Sequence, residues 1–302
     1  MNQALTAKKL HHWGIFLLVL TTVFWATSFP LQKAVVRDLS PSVILSVRFA
    51  VAAVALSPWL RQLNLRLLRD GVLLGSLYCV ECAAALTALE MIAASRVAFI
   101  ISLNVILVPV LGTLLGQHLP KRIAIASGLA VLGIGVLSWE GGGLSSGDLL
   151  AVGCACGAAL YILLLETITP HHPSLPLAAT QLLTMALLSG LWSAPQLVEQ
   201  FGVMMHHFNS LVYLGILVTA TPIWTQAQAQ RWVASYEAAL IYTLEPVFAA
   251  LLSFWFLGET LGGRGLLGAG IILIATCLSQ KTPKDVMRYL PRRNLAEKDS
   301  VP

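Results

Sequence analysis

Two glutamates and one arginine lie inside long apolar runs of the sequence, where charged side chains are unusual. Glu81 and Glu245 lie near the middle of two such runs, and Arg48 lies nearer the end of a third. If these runs are transmembrane helices, the rise of about 1.5 Å per residue places Glu81 roughly 15 Å deep, close to the midplane. An ionised carboxylate at that depth costs several kcal/mol unless it is hydrated, paired or protonated. The three residues therefore indicate a polar site within the membrane.

Each of these residues has more than one interpretation. Glu81 fits a proton-coupling or cation-contacting group in a hydrated cavity, or a protonated carboxyl that hydrogen-bonds to a neighbouring helix. Glu245 precedes Pro246, which removes a backbone donor and kinks a helix, so the pair fits a hinge or a substrate contact. Arg48 fits binding of a substrate carboxylate, an ion pair with one of the glutamates, or a side chain that extends to the interface.

Eight further aromatic or polar side chains lie within the apolar runs. They are Trp25, Ser28, Tyr78, Asn104, Tyr161, Trp224, Gln228 and Tyr242. Together with the three charged residues they form the predicted substrate-binding cavity. Gln226, Gln228 and Gln230 alternate along the chain, so a helix spreads them over different faces and they cannot all line one cavity.

Motifs that would indicate an ATP-driven pump or a zinc peptidase do not occur. The seven histidines fall at the ends of apolar runs or between them, and the sequence has neither HExxH nor GxxxxGK[ST]. The five cysteines lie within apolar runs, which is more typical of packing residues than of a disulfide framework or a metal site. We therefore expect a protein that is not an enzyme, without catalytic residues, metal or cofactor.

The composition identifies the class of protein. The chain has 302 residues, of which 57% are hydrophobic and only 11% are charged, whereas soluble domains have about 25% charged residues. Long apolar runs recur throughout, so we expect a multi-pass protein whose first partner is the lipid bilayer. The net charge of +5 comes from residues at span ends and in the tail, and we expect no nucleic-acid partner.

Run length and flanking residues predict an all-α protein with ten transmembrane helices. The predicted spans are Trp13–Val36, Ser42–Leu60, Asp70–Ala88, Ala94–Gln117, Lys121–Trp139, Gly147–Ile168, Leu175–Ala194, Asn209–Gln230, Tyr236–Gly258 and Arg264–Ser279. Short connections join them, and only Pro195–Phe208 is longer. The glycine pairs Gly71–Gly75, Gly112–Gly116 and Gly153–Gly157 have the spacing that lets helix backbones approach closely.

The two halves of the chain resemble each other. A shift of 142 residues places Asn104–Gln117 under Pro246–Glu259, and a shift of 133 places Arg48 under Gln181. A shift of 140 places Gly75 under Gly215. We therefore predict two five-helix repeats, 13–139 and 147–280, around a central cavity. Because five is odd, the second repeat enters the membrane from the opposite side, which is the inverted topology of many secondary transporters.

Lysine and arginine predict the orientation. Most of the nineteen lie on one side of the predicted spans, together with the basic tail 281–302. Because positive residues are enriched in cytoplasmic loops, we expect the protein to lie in the inner membrane with both termini in the cytoplasm. The low hydrophobicity of the tail predicts disorder.

Several motifs, in their order along the chain, resemble the EamA type of the drug/metabolite transporter superfamily. They are Trp25-Ala-Thr-Ser28-Phe-Pro30, Arg48, Leu244-Glu245-Pro246, Leu257-Gly258-Glu259 and Gly268-Ala-Gly270. The resemblance covers residues 13–280 and implies ten helices in an inverted repeat, a central cavity and export of small metabolites. The first repeat departs from the pattern, because Gly116-Gln117 stands where the family often has Gly-Glu.

These observations predict a secondary transporter that exports small polar or amphipathic metabolites, such as amino acids, by alternating access. Proton coupling through Glu81 is the specific mechanistic hypothesis, which makes protons a partner besides the small-molecule substrate. Two alternatives stay open at this point. A membrane-embedded enzyme would cluster His or Asp at one depth, and a non-transporting scaffold would have no central polar cavity.

Overall fold

The computed structural model describes residues 2–92, 94–116, 119–138, 145–257 and 263–279, and each regular element in these ranges is helical. The predicted all-α fold is thereby confirmed. The α-helices are α1 Asn2–Val35, α2 Pro41–Leu56, α3 Leu65–Met91, α4 Ala94–Ser102, α5 Asn104–Leu114, α6 Lys121–Ser138, α7 Ser146–Ile168, α8 Ser174–Glu199, α9 Phe201–His206, α10 Phe208–Gly215, α11 Thr221–Ala229, α12 Ser235–Tyr242, α13 Glu245–Leu257 and α14 Gly263–Ser279. The predicted tail 281–302 lies outside the described residues.

Seven segments of the described chain are long and apolar enough to cross a membrane. They are Lys8–Val35, Pro41–Gln62, Leu65–Met91, Arg96–Leu114, Ser146–His171, Ser174–Glu199 and Phe208–Ala229. A shorter apolar helix covers Gly263–Leu278. The protein is thus a multi-pass membrane protein, and the number of ten spans stays a prediction.

The fourth and ninth predicted spans are each broken in the structure, and in the sequence Pro246 indicated only the break in the ninth. α12 ends at Tyr242 and α13 begins at Glu245, because Pro246 has no N–H to donate to the carbonyl of Tyr242. α4 ends at Ser102 and α5 begins at Asn104, although the first half has no proline at this point. Here the last turn of α4 tightens, with the Leu103 N–H bonded to the Ile100 carbonyl at 3.1 Å.

The eighth predicted span also changes its hydrogen-bond register. Between α10 and α11, residues Ile216–Ala220 form a π-helix. Pro222 follows and cannot donate to the carbonyl four residues earlier, and the wider π turn re-routes the bonding around that gap. The hydroxyl of Thr219 donates to the Leu214 carbonyl, five residues earlier, at 2.8 Å. The turn thereby fixes the direction of the Thr219 side chain.

The connection Pro195–Phe208 contains more helix than the sequence predicted. α8 continues through Pro195 to Glu199, and the short helix α9 follows directly. Gln196 and Gln200 of this segment accept hydrogen bonds from Ser40 and Ser42, which lie at the start of α2. The segment is therefore fastened to the first half of the chain.

Helices of the first half pack against helices of the second half in matching pairs. α2 packs against α8, and α6 packs against α14. α3 packs against α7, as α1 packs against α11. α4 and α5 pack against α7, as α12 and α13 pack against α1. Two buried apolar clusters result, and Trp25 lies against both of them.

Two glycines show the same correspondence at atomic scale. A Cβ at Gly75 would lie 2.6 Å from the carbonyl oxygen of Gln181 and 2.9 Å from the Cβ of Thr184. A Cβ at Gly215 would lie 2.8 Å from the carbonyl oxygen of Arg48 and 2.8 Å from Val51 Cγ1. The shift of 140 residues relates Gly75 to Gly215, and the shift of 133 relates Arg48 and Val51 to Gln181 and Thr184. The two sets of contacts therefore correspond between the halves.

Among the described residues, four acid–base side-chain contacts join the two halves, one of them with an arginine and three with histidines, which carry charge only when protonated. Arg96 Nε lies 2.6 Å from Asp148 Oδ1, and His11 Nε2 lies 3.2 Å from Glu237 Oε2. Arg96 and Glu237 are the third residues of α4 and α12, the first segments of the two broken spans. The other two pairs are His172 with Asp70 at 2.7 Å and His207 with Asp38 at 2.9 Å.

Candidate functional site

A cavity of about 100 Å³ with mainly apolar walls lies between the two halves of the chain. Helices α1, α2 and α3 line it together with α4, α5, α7, α11, α12 and α13. Both broken spans contribute residues on either side of their breaks: Ser102 and Asn104 in one, Tyr242 and Glu245 in the other. Breaks of this kind place backbone ends at a buried site, as in transporters with discontinuous helices.

The structure brings most of the predicted site residues to this cavity. Those that line it are Trp25, Ser28, Arg48, Tyr78, Glu81, Asn104, Tyr161, Tyr242 and Glu245. Trp224 and Gln228 do not line it. Trp224 packs against an apolar cluster, because its position on α11 faces the core rather than the cavity. The role of the lining residues in binding stays a prediction.

Arg48 is buried, with 4% of its surface exposed, so it does not extend to the interface. Its Nε donates to the hydroxyl of Thr219, and its Nη1 donates to Gln32 Oε1 at 2.9 Å. Among the described residues no carboxylate oxygen lies within 4.0 Å of its guanidinium nitrogens. The proposed ion pair with Glu81 or Glu245 is therefore not formed in this structure.

The hydrogen bonds of Arg48 continue along one face of α1. Gln32 Nε2 donates to Ser28 Oγ at 2.9 Å, and Ser28 Oγ donates to the Trp25 carbonyl at 2.7 Å. Because the guanidinium can only donate, it requires the amide oxygen of Gln32 and directs the amide nitrogen to Ser28. The polar groups at this corner of the cavity thus have hydrogen-bond partners within the protein.

A second chain of hydrogen bonds fixes the orientation of Gln226. Gln230 Nε2 donates to the Ile162 carbonyl at 2.8 Å, which leaves Gln230 Oε1 to accept from Gln226 Nε2 at 3.3 Å. A main-chain carbonyl can only accept, so both amide assignments follow from the network. The side-chain oxygen of Gln226 is then left without a partner, in a residue that is 1% exposed.

Four buried polar atoms around the cavity have no hydrogen-bond partner among the residues that the structure describes. They are Glu81 Oε2, Asn104 Oδ1, Gln226 Oε1 and Tyr242 Oη. Buried polar atoms in folded proteins are bonded in the large majority of cases, and leaving one unbonded costs about 1–3 kcal/mol. Their concentration at one cavity indicates a place where water, protons or a ligand complete the bonding.

Aromatic rings flank these atoms in two pairs. The rings of Trp25 and Tyr242 have centroids 5.0 Å apart, and so do the rings of Tyr78 and Tyr161. Tyr161 Oη donates to Gln181 Oε1 at 2.8 Å, which holds the second pair in place. The cavity therefore combines apolar ring surfaces with a small number of polar atoms, as small-molecule sites commonly do.

Sequence reasoning missed two functional candidates on this surface. Gln32 lies four residues after Ser28 on the same face of α1, a spacing that could have identified it. Gln226 was one of three alternating glutamines, and the sequence alone gave no reason to prefer it over Gln228. The face of α11 that meets the cavity depends on the π-helix before it, which the sequence did not predict.

Comparison with known proteins identifies a family for the chain. The family profile described as "EamA-like transporter family" matches the chain twice, over residues 12–139 and 145–280. An "Uncharacterized transporter" of Archaeoglobus fulgidus is 29% identical over 267 residues, covering 86% of this chain and 83% of that protein. The "Uncharacterized transporter YwfM" of Bacillus subtilis is 24% identical over 288 residues, covering 90% and 95%. One solved crystal structure has the same fold, with a TM-score of 0.70 at 16% identity over 95% of this chain and 99% of that one.

Proposed function

The chain belongs to the EamA-like transporter family and is a membrane transporter, and from this we propose that it exports small metabolites such as amino acids by alternating access. The observation that supports this proposal most directly is the cavity between the two halves with its four unpartnered polar atoms. A ligand of a few heavy atoms would complete their hydrogen bonds inside an otherwise apolar helical bundle. The substrate and the direction of transport belong to the proposal.

Alternating access would use two inverted five-helix repeats. The matching helix pairs, the contacts of Gly75 and Gly215, and the broken fourth and ninth spans all support this architecture. With five spans in each half, the ion pair of Arg96 with Asp148 would close one end of the cavity and that of His11 with Glu237 the other. We infer that transport requires the two pairs to open in turn.

Proton coupling is assigned to Glu81. Its carboxyl lines the cavity with one oxygen unpartnered, and Glu245 lines the same cavity from the opposite half of the chain. Two carboxylates in one cavity repel each other, so ionising both at once is unfavourable. A single proton shared between the two carboxyls removes this repulsion. Release of that proton would accompany binding of substrate.

The test is transport by purified protein in lipid vesicles under an imposed pH gradient. Glu81→Gln should abolish the response to the gradient, because the amide cannot release a proton, while substrate exchange without a gradient continues. Glu90→Gln is the matched control, since Glu90 belongs to the same helix, is exposed and does not line the cavity. Full gradient-driven transport by Glu81→Gln would remove Glu81 from the coupling mechanism.

Two observations bear on the alternative functions. A scaffold has no need of a polar cavity with unpartnered atoms, so this alternative lacks support. The run Gly143–Gly147 has the GxSxG spacing of some hydrolases. However, Ser145 caps α7 in a capping box: its Oγ accepts from the Asp148 N–H at 3.3 Å, and its own N–H donates to Asp148 Oδ2 at 2.6 Å. Helix capping accounts for this serine, and we infer that the chain is not an enzyme.

A further inference from the structure

The first turns of α1 have two different faces. One face packs against the second half of the chain: His11 Nε2 lies 3.2 Å from Glu237 Oε2, and a Cβ at Gly14 would lie 2.7 Å from Val233 Cγ2. The other face carries five exposed side chains, which are Lys8, Lys9, His12, Trp13 and Phe16. Because residues three and four apart are neighbours on a helix, these five form one continuous surface, here called the basic–aromatic face.

Positive charge at one end of this face is not balanced by the protein. Among the described residues, no carboxylate oxygen lies within 4.0 Å of Nζ of Lys8 or Lys9. His12 Nδ1 lies 2.6 Å from the Lys8 carbonyl oxygen, and since that oxygen can only accept, Nδ1 carries the hydrogen. The other ring nitrogen of His12 has no such contact in the described chain. This end of α1 therefore suits an anionic group from outside the protein.

Two aromatic rings continue the face along the helix. Trp13 and Phe16 are 52% and 53% exposed, and their ring centroids lie 5.2 Å apart with 22° between the planes. The membrane-spanning segment begins at Lys8, so both rings lie deeper than the lysines, where aromatic side chains meet the ends of acyl chains. From Lys9 to Phe16 the helix rises about 10 Å. One molecule with an anionic end and an apolar body can therefore contact both parts of the face.

From these observations we propose that the basic–aromatic face of α1 binds an anionic phospholipid, with the phosphate at Lys8 and Lys9 and the acyl chains against Trp13 and Phe16. The proposal requires only that the protein lies in a membrane and is independent of what it transports. In the predicted topology the lipid belongs to the cytoplasmic leaflet, whose anionic headgroups attract basic residues beside a span.

Two other occupants fit this face less well. A zwitterionic phospholipid brings its own ammonium group to the same place, and the two lysines repel that group. A second copy of the chain in a symmetric contact would set the same lysines against each other. The anionic lipid satisfies the charge and the apolar rings together.

Quenching of Trp13 fluorescence locates the lipid. The chain has 8 tryptophans, so the signal of Trp13 is the difference between the wild-type protein and Trp13→Phe. The vesicles consist of phosphatidylcholine with a minor fraction of phosphatidylglycerol whose acyl chains are brominated near the headgroup. We expect this lipid to quench Trp13 at least about twofold more than brominated phosphatidylcholine at the same fraction. Equal quenching by the two brominated lipids would overturn the proposal.

Charge variants test the assignment to the two lysines. The double variant Lys8→Gln with Lys9→Gln should lose the preference for brominated phosphatidylglycerol and keep its quenching by brominated phosphatidylcholine, a combination that misfolding would not produce. Arg66→Gln with Arg69→Gln is the matched control, because it removes two exposed positive charges from the start of α3, where the first turns carry no aromatic residue. The control should keep the preference. Loss in both double variants, or in neither, would contradict the site.

Soluble anions distinguish the lipid from other ligands of the same charge. Glycerol phosphate has the phosphate without acyl chains, and polyglutamate represents an acidic protein segment. Neither should relieve the quenching of Trp13 by brominated phosphatidylglycerol, because ionic contacts at exposed lysines are weak in water without an apolar contribution. Recovery of the Trp13 signal with glycerol phosphate would assign the face to a free phosphate, and recovery with polyglutamate alone would assign it to an acidic protein; either result refutes the lipid site.

Discussion

At the scale of single residues, the side chain that most depends on its neighbours is Arg48. It is buried and has no ion pair among the described residues, and two neutral side chains from different helices hold it instead. Hydrogen bonds to a charged group contribute about 1.5–3 kcal/mol, more than those between neutral groups. Thr219 and Gln32 are therefore part of what allows a cation at this position.

We predict that Thr219→Val lowers the free energy of unfolding by about 1–3 kcal/mol, because Arg48 Nε then lacks its acceptor in a buried place. Thr221→Val is the matched control: its hydroxyl also bonds to the carbonyl five residues earlier, at 3.0 Å, but accepts nothing from Arg48. The control should change stability by less than about 0.5 kcal/mol. Equal melting temperatures for the two variants in detergent would contradict the role given to Thr219.

Residue types within apolar runs predicted much of this cavity, but not its contacts. Glu81, Arg48 and Tyr242 were found because polar groups are expensive in a membrane, which is a property of each residue alone. Gln32 as the partner of Arg48, and the choice of Gln226 over Gln228, depend on how α1 and α11 are rotated. Rotation follows from packing between distant parts of the chain, which local pattern does not contain.

At the scale of helices, close packing between the halves depends on particular glycines. Gly71 and Gly75 lie against Thr180 and Gln181 of α8, as their spacing predicted. Gly153 has the same spacing to Gly157 but faces open space. The first pair thus forms a close contact at both glycines, whereas in Gly153–Gly157 only the second glycine lies near a neighbour, since a Cβ there would be 3.7 Å from Glu81 Cβ. Spacing indicates a smooth helix face but not which helix covers it.

We predict that Gly75→Ala destabilises the protein by about 1–3 kcal/mol, because the new methyl group would meet the main-chain oxygen of Gln181, which cannot move aside as a flexible side chain can. Gly153→Ala makes the same change where nothing lies within 4 Å of the new atom. It should be neutral or slightly stabilising, since alanine favours the helix. Thermal unfolding in detergent, compared between the two variants, checks the prediction.

Helix breaks were the least predictable elements. Pro246 indicated the discontinuity between α12 and α13, since proline ends helices by a local steric and bonding effect. The break between α4 and α5 has no proline beside it and became visible only in the structure. The π-helix Ile216–Ala220 was missed although Pro222 follows it, because a proline near a helix break does not say which irregular turn will form.

At the scale of the whole molecule, the orientation in the membrane rests on positive residues. In the predicted topology Lys33, Arg96 and Arg264 lie on the outer side, and the protein engages all three. Lys33 donates to the Leu89 and Ile92 carbonyls at the end of α3, and Arg96 pairs with Asp148. Arg264 Nε donates to the Val136 carbonyl at 2.7 Å. Such contacts give a structural reason for basic residues on the side that otherwise has few of them.

We predict that reporter fusions at Lys281 and in the loop at Pro41 report opposite sides of the membrane, inside and outside respectively. Nine spans would lie between a reporter in the first loop and one after the tenth helix, and an odd number reverses the side. Alkaline phosphatase and green fluorescent protein fusions in whole cells distinguish the two locations. Fusions that report the same side would contradict both the ten-span topology and the inverted repeat.

The ion pairs between the halves have a consequence for the protein's ancestry. The first half contributes His11, Arg96, Asp38 and Asp70, and the second half contributes the opposite member of each pair. If two copies of the first half met in the same arrangement, Arg96 would face His11 and Asp38 would face Asp70. Two copies of the second half would set acid against acid and histidine against histidine. On the proposed inverted repeat, a gene duplication that began with identical, self-associating subunits would have become irreversible once these positions diverged, because each half would then pair with the other and no longer with itself.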